Sequence, residues 1–254
     1  MLGNTTTVNN DITPREKTSK DIKLYKKIIL FVIGLFGLQL LGLLAAQIVK
    51  ATFAEPNSPE GYGALNFITY AMLFVVLLGI VNIDVLYLKN DFKVWKGYLF
   101  GLAFGAGMII FPIIYNFIIG LFYTPEINEN ESALRSFITV YPFLSIIFLG
   151  LVGPFCEELT YRVGLFGIFV NNKKYKWIGY VVAVLVFGFA HFSFTSTNIV
   201  NEFVNLPVYL LSGFLLALAY DKFGFSCSYT AHTINNLYSV VILILANLLN
   251  SWAN

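Results

Sequence analysis

The feature that most constrains this chain is a succession of apolar runs, each long enough to cross a lipid bilayer and separated from the next by a short polar gap. A helix needs roughly 20 apolar residues to span a hydrocarbon core. By that criterion about seven segments qualify: 28–49, 64–88, 98–123, 137–169, 177–194, 203–220 and 226–249. A chain of this kind must satisfy its backbone hydrogen bonds within each segment, which leaves helices as the spanning element. The expected fold is an all-α, polytopic transmembrane helical bundle. Only 12% of the residues are charged and 57% are hydrophobic, against about 25% charged in an ordinary soluble domain. The bilayer is the expected solvent and partner.

The fourth run is too long for one simple span. Gly153-Pro154 is expected to break it, or else the helix tilts and continues past the boundary. Residues 1–27 are polar and become basic towards the first run, with Arg15, Lys17, Lys20, Lys23, Lys26 and Lys27. They read as a cytoplasmic tail ahead of a retained anchor; a cleaved signal peptide is the alternative. The chain then divides into a three-helix membrane region, 28–123, and a second membrane domain, 137–249, that carries the chemistry.

Charge placement gives the orientation. With the N-terminus inside, Lys89, Lys93, Lys96, Lys173, Lys174, Lys176 and Lys222 fall on the same side as the basic tail. The opposite loops hold Lys50 and Arg135 among Glu55, Glu60, Glu126, Glu129, Glu131 and Glu202. The positive-inside rule then predicts a cell-membrane protein, N-terminus cytoplasmic and C-terminus outside. A net charge of +2, with no basic stripe among aromatics, argues against a nucleic-acid partner. Cys156 and Cys227 lie in apolar context and make no disulfide framework. Gly97, Gly101 and Gly105 form a small-xxx-small row that reads as close helix packing within the chain, with dimerisation as the alternative. Asp84 and Asp221 fall near span ends, within reach of water or a lysine.

Ionisable side chains inside the hydrocarbon cost about 2.5–3.5 kcal/mol each on the insertion scale, so those present are functional candidates. Glu157, Glu158, Arg162, His191 and His232 are the set here. Glu158 and Arg162 are four apart and share a helix face as an ion pair, while Glu157 lies about 100° away. One carboxylate is thus neutralised and the other faces a cavity. Helical rise from the cytoplasmic ends puts Glu157, His191 and His232 roughly 20, 22 and 15 Å deep, so they can meet near mid-membrane. Asn236 follows His232 by one turn. A carboxylate with an imidazole can deprotonate a water, and a His/Asn pair can hold an oxyanion, which suits peptide hydrolysis. There is no second histidine four residues from either His, no Gly-x-Ser-Gly and no Gly-x-Gly-Asp, so the zinc, serine and aspartate forms of intramembrane proteolysis fit badly.

The order Glu157-Glu158-x-x-x-Arg162, Phe187-x-x-x-His191, His232-x-x-x-Asn236 on successive helices resembles the three motifs of the CPBP family. That family holds the type II CAAX prenyl endopeptidases and the bacteriocin-processing and immunity-associated membrane proteins, also called Abi proteins. The resemblance covers about residues 137–249. It implies Glu157 as the general base acting with His191, Glu158 and Arg162 as supports of the site, Phe187 as a motif position, and His232 with Asn236 as the oxyanion hole. The implied substrate is a membrane-associated peptide or protein. The expected chemistry is metal-free; zinc held by the two histidines and a glutamate is the alternative. A non-catalytic membrane partner, as in bacteriocin self-immunity, is the competing functional class, and a proton-coupled transporter a third, without a visible inverted repeat.

Overall fold

The computed structural model describes residues 17–56 and 58–253, and the first part of the polar tail, including Arg15, lies outside them. Among the described residues all regular structure is helical. The principal elements are α1 (Leu24–Thr52), α2 (Pro59–Val81), α3 (Val85–Phe92), α4 (Trp95–Ile119), α5 (Glu129–Val140), α6 (Pro142–Phe169), α7 (Lys176–Ala190), α8 (Ile199–Phe223) and α9 (Phe225–Ala253). Six of these are long and apolar enough to cross a membrane, and α7 is a shorter apolar helix of 15 residues. Together they account for the seven runs read from the sequence.

The boundaries follow local chemistry. Ser58 caps α2 by accepting the Gly61 N–H at 3.1 Å, with Pro59 in the first helical position, where its missing N–H costs nothing. Asn128 and Asn198 cap α5 and α8 in the same way. α8 ends at Gly224, whose φ of 85° a side-chain-bearing residue would adopt only with strain. Immediately beyond it the Asp91 carboxylate accepts the Phe225 N–H at 3.2 Å and both the N–H and hydroxyl of Ser19. One anion therefore ties the N-terminal segment and α3 to the first turn of α9, where the helix dipole favours it.

Two expectations are corrected. The long fourth run breaks at Tyr141-Pro142, not at Gly153-Pro154, so α5 becomes a separate helix. The chain passes Pro154 without leaving the helix because Phe148–Val152 is wound as π-helix just ahead of it. That local change of bonding accommodates the N–H that proline lacks. After an α-helical turn, Gly153–Glu157, a second π segment follows at Glu158–Phe166. The second run ends earlier than read: α2 stops at Val81, a 3-10 turn follows, and residues 85–88 belong to the short α3.

The span-end acids, expected to be solvated or reached by a lysine, are each met by a lysine but are largely buried. Lys26 pairs with Asp84 at 2.6 Å, and Asp221 takes Lys176 at 2.9 Å and the Tyr180 hydroxyl at 3.0 Å. The glycine row on α4 packs within the chain. A Cβ at Gly101 would lie 2.7 Å from Thr230, and one at Gly105 3.1 Å from the Ala231 carbonyl, both on α9. Behind α6, α1 makes an equally close crossing. A Cβ at Gly34 would land on Thr160, and one at Gly164 would come within 2.8 Å of the Phe31 backbone nitrogen. Lys27 closes this face by donating to the Gly167 carbonyl at the end of α6, at 2.7 Å.

Candidate active site

The ionisable side chains of α6, α7 and α9 converge on one place, with Glu158, Arg162 and His232 buried and Glu157 and His191 partly exposed. Glu158 and Arg162 are both fully buried, with Nε and Oε2 3.3 Å apart. The spacing of four keeps them neighbours although the backbone there is π-helical. Arg162 also lies over the Phe187 ring, 4.6 Å from its centroid, a desolvated cation–π contact. Its terminal nitrogens have no hydrogen-bond partner among the described residues, so the ring face and Glu158 are what balance this charge.

Glu158 does a second job. Its Oε1 accepts from His232 Nδ1 at 2.9 Å. On α7, His191 Nδ1 contacts the Phe187 carbonyl at 2.8 Å; a carbonyl can only accept, so Nδ1 carries the hydrogen. With both Nδ1 atoms engaged, the Nε2 atoms of the two rings face the same oxygen. His191 Nε2 is 3.9 Å and His232 Nε2 3.7 Å from Glu157 Oε2. That oxygen is buried and has no hydrogen-bond partner among the described residues. Glu157 Oε2 and His191 Nε2 are two acceptors set around one point and need a donor, which a water or a shared proton supplies.

The apolar run 177–194 places His191 inside a membrane segment. The residue instead caps the end of α7, whose last helical residue is Ala190. The shortened helix lets the chain turn at the depth of the cavity and present the imidazole to Glu157. Asn236 also departs from its expected partnership. Its amide donates to the Leu149 carbonyl at 3.0 Å, within the π segment, and not to a group shared with His232. One amide hydrogen is spent there and the other remains for the cavity.

The cavity has a volume of about 330 Å³ and is lined by Glu157, His191, His232 and Asn236 together with residues of α2, α4, α5 and α8. Several of these residues were not singled out by sequence. Tyr209 stacks on His191 with ring centroids 4.7 Å apart and takes a hydrogen bond from the α5 cap, Asn128, at 3.0 Å. Tyr70, Ser212 and Asn235 line the same space. Polar residues inside apolar runs are the signal that could have found them, although it does not say which face they occupy. Glu202, read as an acid of an outer loop, is buried in the first turn of α8 and accepts the Ser193 N–H at 3.1 Å. Among the described residues no group of three or more His, Cys, Asp or Glu is arranged to hold a metal ion.

Comparison with known proteins points the same way. Residues 139–238, which contain all three motifs, match the family model described as type II CAAX prenyl endopeptidase Rce1-like. An uncharacterized protein of Mycoplasma capricolum subsp. capricolum is 29% identical over 83% of this chain and 64% of its own length. UPF0177 protein YvdC of Lactococcus lactis subsp. lactis is 27% identical over 46% of this chain and 42% of its own. The membrane-embedded CAAX protease MroQ of Staphylococcus aureus is 24% identical over 67% of this chain and 70% of its own. The chain thus spans 64% and 42% of the first two of these relatives. No solved structure matches it. Through residues 139–238, under half of its length, and the order of its three motifs, the chain is similar to the type II CAAX prenyl endopeptidase Rce1-like family.

Proposed function

We propose that this protein is an intramembrane endopeptidase that hydrolyses a peptide bond with a water activated by Glu157 and His191. The observation that carries the reading is the buried, unpaired Glu157 Oε2 facing two imidazole Nε2 atoms at 3.9 and 3.7 Å. A water held there donates one hydrogen to Glu157 and the other towards His191. Glu157 takes the proton as the water oxygen attacks the scissile carbonyl, and returns it to the leaving amine when the C–N bond breaks. The oxyanion is held by the remaining amide hydrogen of Asn236 and by His232, protonated on Nε2 as well as on the Nδ1 that Glu158 accepts. Glu158 and Arg162 fix the His232 ring, and Phe187 fixes both Arg162 and, through its carbonyl, His191. The cycle so written needs no metal.

The substrate is a membrane-associated peptide or protein, and the surrounding bilayer is the solvent of the reaction. The lysine-bearing ends of the spans lie on the cytoplasmic side in this reading, with the N-terminus inside. Comparing the secreted and membrane peptides of cells that carry the parent chain or Glu157→Gln, at matched abundance, tests it. New peptide termini present only with the parent support the enzyme. Identical peptide sets, with a peptide co-purifying on both proteins, would instead assign the cavity to a non-catalytic binding or immunity role.

A further inference from the structure

The cavity that holds Glu157 is closed at one end and extended at the other. Towards the lysine-bearing end of the bundle the space beside the site is filled by Leu159, Phe166, Leu216, Tyr220 and Phe225, each 0% exposed. Away from that end the cavity runs along α9 from His232 to Leu243, eleven residues or roughly 16 Å of helix. It finishes against α5, whose Glu131, Leu134 and Ile138 face it at helical spacing. Glu131 there is clamped by Arg135 at 2.7 Å, and both side chains are 42% exposed, so this end meets water.

The lining of the open arm mixes polar and apolar groups. Ser212, Asn235, Asn236 and Ser239 bring hydroxyl and amide groups, and Asn235 and Ser239 lie one turn apart on α9. The apolar lining is Met108 and Pro112 of α4, Val208 of α8 and Leu134 of α5. Neutral donors and acceptors set among apolar side chains suit an extended polypeptide, whose backbone amides need partners while its side chains need a dry surface. Asn235, Asn236 and Ser239 already donate to Asn236 Oδ1, the Leu149 carbonyl and the Asn235 carbonyl, and the second amide hydrogens of the two asparagines remain for a polypeptide carbonyl, where a lipid chain offers no acceptor. Asn128, the cap of α5, is bonded to Tyr209, which stacks on His191, so the helix at the mouth is joined directly to the site.

We infer that the site takes an extended, unlipidated polypeptide segment that enters from the α5 end of the bundle, the end opposite the lysine-rich turns. The inference rests on the endopeptidase reading for what happens to the segment, but the route itself is testable without turnover. Cys156 and Cys227 are 1% and 0% exposed, so a thiol reagent reads introduced cysteines against a quiet background. The experiment uses the full chain in sealed vesicles and a membrane-impermeant maleimide applied from one side at a time. Arg135→Cys marks the α5 end and Lys173→Cys the lysine-rich end, and Ser239→Cys reports on the arm of the cavity. The expected result is that Ser239→Cys is labelled from the side that labels Arg135→Cys and not from the side that labels Lys173→Cys. A synthetic uncharged apolar nonapeptide at about twice its Kd should then slow labelling of Ser239→Cys about threefold, and farnesol at the same concentration should leave the rate unchanged. Labelling of Ser239→Cys from the Lys173 side, or from neither side, overturns the route. Protection by farnesol and not by the peptide overturns the substrate class. Neither outcome bears on whether Glu157 is the base, which the peptide comparison decides separately.

Discussion

Replacing Arg162 with alanine removes the cation that faces Glu158 in a place where neither group touches solvent. Breaking a buried ion pair from one side leaves the other charge without its guanidinium partner, with the His232 hydrogen bond as a partial offset, a loss of about 3–5 kcal/mol. Alanine also gives up the guanidinium contact with the Phe187 ring. At about 2–4 °C per kcal/mol for a chain of this size, the unfolding midpoint should fall by about 6–20 °C. The companion Glu158→Gln/Arg162→Met removes both charges together. Its glutamine carbonyl can still accept the His232 Nδ1 hydrogen, and its methionine can still pack on Phe187. If the loss in Arg162→Ala comes from a carboxylate left without its cation, the double variant should recover at least about half of it, a positive coupling of the kind a double-mutant cycle isolates. The assay is thermal unfolding of each purified variant in one mild detergent, with membrane abundance measured in parallel. An Arg162→Ala midpoint within about 2 °C of the parent, or a double variant no more stable than the single one, would refute the reasoning.

Three further outcomes are expected. Gly34→Ala sets a Cβ onto Thr160 at the α1–α6 crossing and should cost about 1–3 kcal/mol by overpacking; Thr160→Ala in the same chain should return part of that, measured by the same unfolding assay. Asp91, outside the membrane spans, has its carboxyl pushed above the usual range by burial, partly offset by hydrogen bonds from Ser19 and Phe225. A raised folded-state value means the stability of this group is fully present below its unfolded value and lost as pH rises through the folded one. The stability of Asp91→Asn relative to the parent should therefore improve from acid to neutral pH in a series of unfolding curves; a flat difference contradicts the assignment. Exhaustive chelation should leave peptide hydrolysis by the purified protein intact; loss on chelation with recovery on stoichiometric zinc would replace the Glu157-activated water with a metal-bound one.

The bundle was legible because apolar length and short polar gaps are written directly in the sequence, and a bilayer leaves a chain few alternatives. The ion pair of Glu158 and Arg162 was legible because a spacing of four survives even the π-helical winding. What the sequence could not carry were the consequences of that winding. Nothing in Gly153-Pro154 says that the helix will absorb the proline by a local change of bonding and break instead at Tyr141-Pro142, which creates α5 and with it the mouth of the cavity. The partners of the polar site groups were equally hidden. His232 sits one turn from Asn236, yet it reaches across to Glu158 on α6 while Asn236 turns to the Leu149 carbonyl. Both choices are set by how α6 packs on α9, a long-range contact that spacing along one helix does not encode. Tyr209 and Asn128 entered the site for the same reason, through the docking of α5 and α8.

The central claim is that Glu157 deprotonates the attacking water. The most direct measurement uses purified protein in proteoliposomes with a mixture of unlipidated apolar peptides, in water enriched in heavy oxygen, with mass spectrometry of the products. The account predicts new carboxyl termini carrying the heavy isotope with the parent protein. In Glu157→Gln, folded and reconstituted at the same density, their rate should fall by about 10²–10⁴-fold, the range a general base contributes. Cleavage by Glu157→Gln at the parent rate, with the same isotope incorporation, would contradict it.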